Sequence, residues 1–221
     1  SGIAVLKFNF SHNGGTVEQP IDFPDIEAFG HNNYTKELDD LSLVMNWVEI
    51  TYAKHSNIDA SNITLVGHSR GGGIVTLKAA EDSRVKKLVS LAGVSDFKSR
   101  FPKGFDLDAW KSKGVHFVMN GRTKQQLPHY YQFYEDFLAN ASRLAIHDAA
   151  KNLKLPHLII HGDNDTSVDL EEAIALHKWH PESQLMILEG ANHVFDSHHP
   201  WEISKLPPYL EEQQKERRRE R

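Results

Sequence analysis

Residues 63–75 read Ile63-Thr64-Leu65-Val66-Gly67-His68-Ser69-Arg70-Gly71-Gly72-Gly73-Ile74-Val75. Ile63–Val66 is a short apolar run, the mark of a buried strand. Beyond it Ile74, Val75, Leu77 and Lys78-Ala79-Ala80 keep a helical rhythm over residues 71–82. Between the two, Gly67-His68-Ser69-Arg70-Gly71 has the form G-x-S-x-G, in the order strand, sharp turn, helix that gives this motif its meaning. A serine on such a turn sits in strained backbone geometry, and the residues two before and two after it have to be small, as Gly67 and Gly71 are. Gly72 and Gly73 permit close helix-to-strand packing. The helix start turns its N–H groups and positive dipole end toward the serine. The Arg70 backbone N–H is therefore a candidate donor to a developing oxyanion. Two other readings compete: a glycine-rich turn with an idle serine, and a phosphate loop. The second lacks both G-x-x-x-x-G-K-[ST] and G-x-G-x-x-G.

Working outward, residues 3–10 read as a strand, followed by a Gly-rich loop at Ser11–Gly15. Leu38, Leu41, Met45, Val48 and Tyr52 recur at spacings of three and four, which predicts an amphipathic helix over 35–54. Val85–Ala92 is a strand ending at Gly93, and an irregular stretch runs to about residue 152. His157–Ile160 is a strand, 169–179 a helix and Gln184–Leu188 a last strand. Strand and helix alternate, and the strands are short apolar runs without clean alternation. The expected fold class is α/β, a mainly parallel sheet with helices on both faces. The expected organisation is one domain over residues 1–210, with an insertion at about 97–152. Residues 211–221 form a charged tail with no apolar face.

A serine hydroxyl needs a base, and the base needs an orienting carboxylate. In the chain order nucleophile, acid, base, the acid follows a later strand and the base follows the last one. The last strand leads into Glu189-Gly190-Ala191-Asn192-His193, which makes His193 the candidate base. The strand before it leads into His161-Gly162-Asp163-Asn164-Asp165, which makes Asp165 the candidate acid. Asp163, a natural turn former, and Asp96, after Val85–Ala92, are its competitors. His68 is expected to line the pocket beside Ser69 as a substrate-binding residue. His177 and His180 lie near a helix end, where an imidazolium is favourable. His198-His199 follow closely on His193. A metal reading of His161, Asp163 and Asp165 finds no established ligand spacing. No metal and no cofactor are expected.

Composition excludes other classes. The chain has 221 residues, and 25 Lys+Arg against 30 Asp+Glu leave a net charge of −5. No net basic field draws in phosphate, so nucleic acid is not an expected partner. No apolar run reaches the roughly 20 residues that cross a bilayer, so no membrane partner is expected. With Cys 0 there is neither a disulfide framework nor a thiolate nucleophile. A chain without cysteine suits a reducing compartment, and a cytoplasmic location is the expectation.

These motifs resemble the α/β-hydrolase superfamily over roughly residues 2–206. The branch is the bacterial one near the serine-aminopeptidase-like, dienelactone-hydrolase-like and cinnamoyl-esterase-like groups. The resemblance rests on Ala4–Phe10 with the Gly14 loop, on Gly67–Gly72, on Pro156–Asp165 with Val168, and on Gly190–Phe195. It implies a serine hydrolase with Ser69 as nucleophile, Asp165 as acid and His193 as base, acting on a small-molecule carboxylic ester through an acyl-enzyme. Peptidase, thioesterase and acyltransferase activities share that triad, and a non-catalytic binding module on the same fold is the alternative from another class. Dienelactone hydrolases proper use cysteine, and Ser69 moves the reading toward esters. The family's strand order, 1-2-4-3-5-6-7-8, makes residues 3–10 its fourth strand, which here lacks its third-strand neighbour. The first strands and the His-Gly loop that supplies a second oxyanion donor have no match. The expectation is an N-terminally truncated piece of a longer protein, weakly active or inactive. The family often inserts a lid over the active site where residues 97–137 stand. That segment gathers ten aromatic residues, to be read either as a substrate wall or as ordinary packing.

Overall fold

The strand, turn and helix at 63–82 fold as their pattern requires. The computed structural model describes residues 2–197 apart from 56 and 122, and the backbone but not the side chain of Phe105. Its elements in chain order are α1 (Ile26–Gly30), α2 (Tyr34–Tyr52), β1 (Ile63–His68), α3 (Arg70–Glu81), β2 (Val85–Leu91), a 3-10 turn at Lys98–Arg100, α4 (Phe105–Lys113), β3 (Val115–Met119), β4 (Gln126–Tyr130), α5 (Gln132–Ala139), α6 (Ile146–Asn152), β5 (His157–Gly162), α7 (Leu170–Trp179) and β6 (Gln184–Leu188). No helix among the described residues is long and apolar enough to cross a membrane. The chain divides into two compact units, one of Ser1–Ile63 with Phe97–Ala145 and one of Thr64–Asp96 with the residues from Ile146 onward. Helix α6, expected within the insertion, groups with the second unit.

The second unit carries a sheet in the order β1-β2-β5-β6. β2 pairs parallel with β5, from Leu88↔His157 to Leu91↔Ile160, and β5 pairs parallel with β6, from Leu158↔Gln184 to Gly162↔Leu188. Parallel neighbours need crossovers, and the helices between them supply these. α3 packs on β2 and on α6, α7 packs on β5 and β6, and α6 touches α7, so the three form one layer. Leu88, Ser90, His157 and Ile159 share the face beneath it and are buried. On the other face Val66 is 59% and Met186 42% exposed. The expected class, α/β with a mainly parallel sheet and helices packed on it, is the one observed.

Residues 3–10 are not a strand. Their composition suits one, but a strand exists only as half of a ladder, and they pair with no strand among the described residues. Ile3 and Val5 stand 76% and 79% exposed.

The first unit is built on aromatic rings. Tyr34 stacks on Phe97 with ring centres 3.8 Å apart and meets Phe101 and Phe133. Phe101 also meets Trp110 and Phe137. All six are buried. Five of them come from the aromatic-rich segment, and they fill this unit's interior. The Trp110 indole N–H donates to the His129 carbonyl at 2.8 Å, which satisfies its polar end. The hairpin expected at Val115–Gly121 is longer, with β3 and β4 antiparallel from Val115↔Tyr130 to Met119↔Gln126. Asn33 starts α2 by accepting the Lys36 N–H at 2.8 Å, as an N-cap should. The stripe Leu38, Leu41 and Met45 is buried as its spacing predicts. The charged tail 211–221 and His198-His199 lie outside the described residues.

Burial reverses one expectation. His180 follows the end of α7, but it is buried, its ring nitrogens have no partner among the described residues, and burial lowers its pKa despite nearby Glu182. It is no helix-end imidazolium. His157 stacks on it with centres 5.8 Å apart and pairs its Nε2 with Ser90 Oγ at 2.9 Å. Burial and then His180 push the His157 pKa down to about 3. Its folded value is depressed, so its contribution is complete above the unfolded value near 6.5 and is lost as pH falls toward 3. Urea denaturation is expected to show stability dropping through that window, by on the order of a few kcal/mol. His157→Gln should flatten the slope, and an unchanged slope would contradict this account.

Candidate active site

The site lies wholly in the sheet unit, at the C-terminal ends of β1, β5 and β6, where open α/β sheets gather reactive groups. Ser69 stands between β1 and α3 with φ 55° and ψ −123°, a left-handed conformation that a non-glycine residue avoids. Its neighbours hold it there. The Ser69 N–H donates to the Leu91 carbonyl at 2.9 Å, and its own carbonyl accepts the N–H groups of Gly72 at 2.9 Å and Val94 at 3.2 Å. The strain costs about 1–3 kcal/mol and persists because these bonds over-determine it.

The glycines have separate reasons. A Cβ on Gly67 would stand 2.2 Å from the Gly71 carbonyl oxygen, and one on Gly72 would stand 2.7 Å from Gly93 Cα. A Cβ on Gly71 would meet nothing within 4 Å. Only the first of the two positions expected to be small is therefore forced by contact. Gly71 matters as backbone, because its carbonyl is what crowds Gly67. Arg70 is the first residue of α3. The N–H groups of a first helical turn face away from the helix's own carbonyls.

His193 comes from the loop after β6. Its Nε2 lies 3.0 Å from Ser69 Oγ and its Nδ1 lies 2.7 Å from Asp165 Oδ2. An ionised carboxylate only accepts, so Nδ1 carries the proton and Nε2 is left to accept from the hydroxyl. The structure brings together the three residues singled out in the sequence, and neither Asp163 nor Asp96 takes the place of Asp165. The Asp165 side chain is fully buried. Burial by itself would raise its pKa. The Val168 N–H, the His193 ring and the Ser167 N–H outweigh that and hold the carboxyl below the usual range. The two N–H groups reach Oδ1 at 2.9 Å and 2.8 Å, which leaves Oδ2 for His193.

The remaining candidates act as braces. His68 Nε2 lies 2.7 Å from the His193 carbonyl, and since a carbonyl accepts, Nε2 donates. The expected pocket residue thus ties down the backbone of the base, its ring centre 4.7 Å from that of His193. Asp163 accepts the Gly190 N–H at 2.6 Å and ties the acid loop to the base loop. His161 Nε2 lies 2.8 Å from the Val168 carbonyl, so it too carries a proton and is not available as a metal ligand. Among the described residues no group of three His, Asp or Glu side chains is placed to hold a metal ion.

Sequence reasoning missed Gly162. A Cβ there would stand 2.0 Å from the Ala191 carbonyl oxygen, so the acid and base loops cross backbone to backbone at this point. The Asn164 N–H donates to the same carbonyl at 3.1 Å. The only sequence signal was a glycine between a strand and two acidic residues.

The prolyl oligopeptidase family (peptidase S9) matches residues 12–205. The chain belongs to that family. Over 124 residues it is 27% identical to the uncharacterized peptidase YtmA of Bacillus subtilis, a match spanning 56% of this chain and 42% of that protein. The chain thus spans less than half of that relative's length. Among solved structures it resembles Est1E from Butyrivibrio proteoclasticus, described with ferulic acid bound, at TM-score 0.56 and 24% identity over 78% of this chain and 65% of that one. It also resembles the monoacylglycerol lipase of Paleococcus ferrophilus, at TM-score 0.57 and 17% identity over 85% and 74%. The fold of this prolyl oligopeptidase family member is that of the α/β-hydrolase superfamily.

The loop crossing has a measurable consequence. Gly162→Ala is expected to lower the unfolding free energy by about 1–3 kcal/mol in urea denaturation. It should also weaken the downfield imidazole proton resonance of the His193–Asp165 hydrogen bond. A variant with both unchanged would show that the crossing tolerates a side chain.

Proposed function

We propose that the chain is a serine hydrolase that cleaves small carboxylic esters through an acyl-enzyme. The observation that carries this is the continuous chain of contacts from Asp165 through His193 to Ser69 Oγ, ending on a serine held at positive φ. In the proposed reaction Ser69 Oγ attacks the ester carbonyl while His193 Nε2 takes its proton. The Asp165 carboxylate keeps the imidazole in the needed tautomer and stabilises its charged form. The Arg70 N–H donates to the tetrahedral oxyanion. His193 then gives its proton to the leaving alcohol, and water repeats the sequence to release the acid. An ester is the less demanding substrate, because its carbonyl is less resonance-stabilised than an amide's and its alcohol needs less help from the general acid to leave.

A peptidase is the second reading, favoured by the family match and by the likeness to YtmA. It uses the same three residues, with an amine as leaving group. Substrate panels separate the two: p-nitrophenyl and feruloyl esters on one side, aminoacyl-anilides on the other.

A fluorophosphonate probe is expected to label the chain covalently at Ser69, and Ser69→Ala should abolish labelling. The same variant should lower kcat by at least about 10⁴-fold. Labelling that survives Ser69→Ala would place the nucleophile elsewhere. A folded, full-length protein that never labels would favour a binding module.

A further inference from the structure

We propose that His161 is a positioning residue for the acid–base pair, an inference that rests on the hydrolase reading above. His161 is the next-to-last residue of β5 and is fully buried. Its Nε2–H donates to the Val168 carbonyl at 2.8 Å and leans toward Asp165 Oδ2 at 3.4 Å, the same oxygen that His193 uses. Its Nδ1 is buried and has no partner among the described residues. A second proton there would be a buried N–H without an acceptor among the described residues. An apolar side chain of similar size would fill this space without an orphaned nitrogen. What only the histidine supplies is the N–H.

That N–H acts at the centre of the turn. Val168 is held on both sides: its N–H donates to Asp165 Oδ1 and its carbonyl accepts from His161. The Ser167 N–H donates to the same Oδ1. With Oδ1 seated in the turn and the turn fastened to β5 by His161, Oδ2 has one direction left, and His193 lies along it. Two imidazoles reach the carboxylate, His161 from β5 and His193 from the loop after β6, and His68 at the end of β1 lies beyond, against His193. Asp163 and Asp169 on the flanking turn are exposed. His161 makes no hydrogen bond to Ser69 or His193 and reaches the acid–base pair through Val168 and Asp165.

The test uses His161→Leu, which removes the donor, and His161→Gln, whose amide N–H reaches toward the same carbonyl. Two readouts are taken on the full chain: the titration of the His193 imidazole by NMR, and kcat and KM on a p-nitrophenyl ester across the neutral range. In His161→Leu the imidazolium loses its aligned carboxylate. The His193 titration is expected to move down by at least about half a pH unit. kcat should fall by about 10²-fold with KM within about twofold. His161→Gln should recover the titration and most of kcat. Equal losses in the two variants, or an unmoved His193 titration in His161→Leu, overturn the proposal. The NMR readout needs no turnover. A parent chain without Ser69-dependent turnover therefore counts against the hydrolase reading and leaves the positioning result to be judged separately.

Discussion

Three backbone hydrogen bonds hold Ser69 in a conformation that its side chain disfavours, and the rest of the site is arranged around them. Two of the three reach outside the turn, to Leu91 at the end of β2 and to Val94 just beyond it. The adjacent strand therefore fixes the serine as much as its own turn does. Without β2 beside β1, φ 55° would relax and the hydroxyl would leave its place before His193. The strand order thus has a chemical meaning. Ala92 adds to it, since it also has positive φ and donates its N–H to the Ile160 carbonyl on β5 at 2.8 Å. The strained turn is laced into three successive strands.

Much of this site was legible in the sequence, for identifiable reasons. Ser69 was readable because strand, turn and helix are neighbours along the chain. Asp165 and His193 were readable because each follows a strand, and strand ends converge on one edge of a parallel sheet. The choice of Asp165 over Asp163 is explained by two local N–H groups, Ser167 and Val168, that seat one of its oxygens. The parts that were not legible depend on backbone atoms brought together from distant segments. Nothing in the identity of Ala191 says that its carbonyl presses on Gly162. His68 donates to a main-chain carbonyl 125 residues away, and residue types carry no trace of that bond.

The expectations that failed did so for related reasons. Residues 3–10 have a strand's composition, but pairing is a relation between two segments, and composition describes only one. His180 has the position of a helix-end cation, but depth decided its charge, and depth is a property of the packed unit. The aromatic-rich segment was open to two readings because its residues alone do not say where its rings point. Tyr34, from a helix some sixty residues upstream, completes the stack that draws Phe97, Phe101 and Phe133 inward.

The contact between Gly162 and Ala191 bears on how this protein can diverge. The loop after β5 and the loop after β6 meet there main chain against main chain, joined further by Gly190 to Asp163 and Asn164 to Ala191. Lengthening either connection by one residue would shift the other, so neither can accept an insertion by itself. In relatives that keep this geometry, the two connections should hold their lengths jointly, and gain or loss of residues should be displaced to segments that make no such crossing.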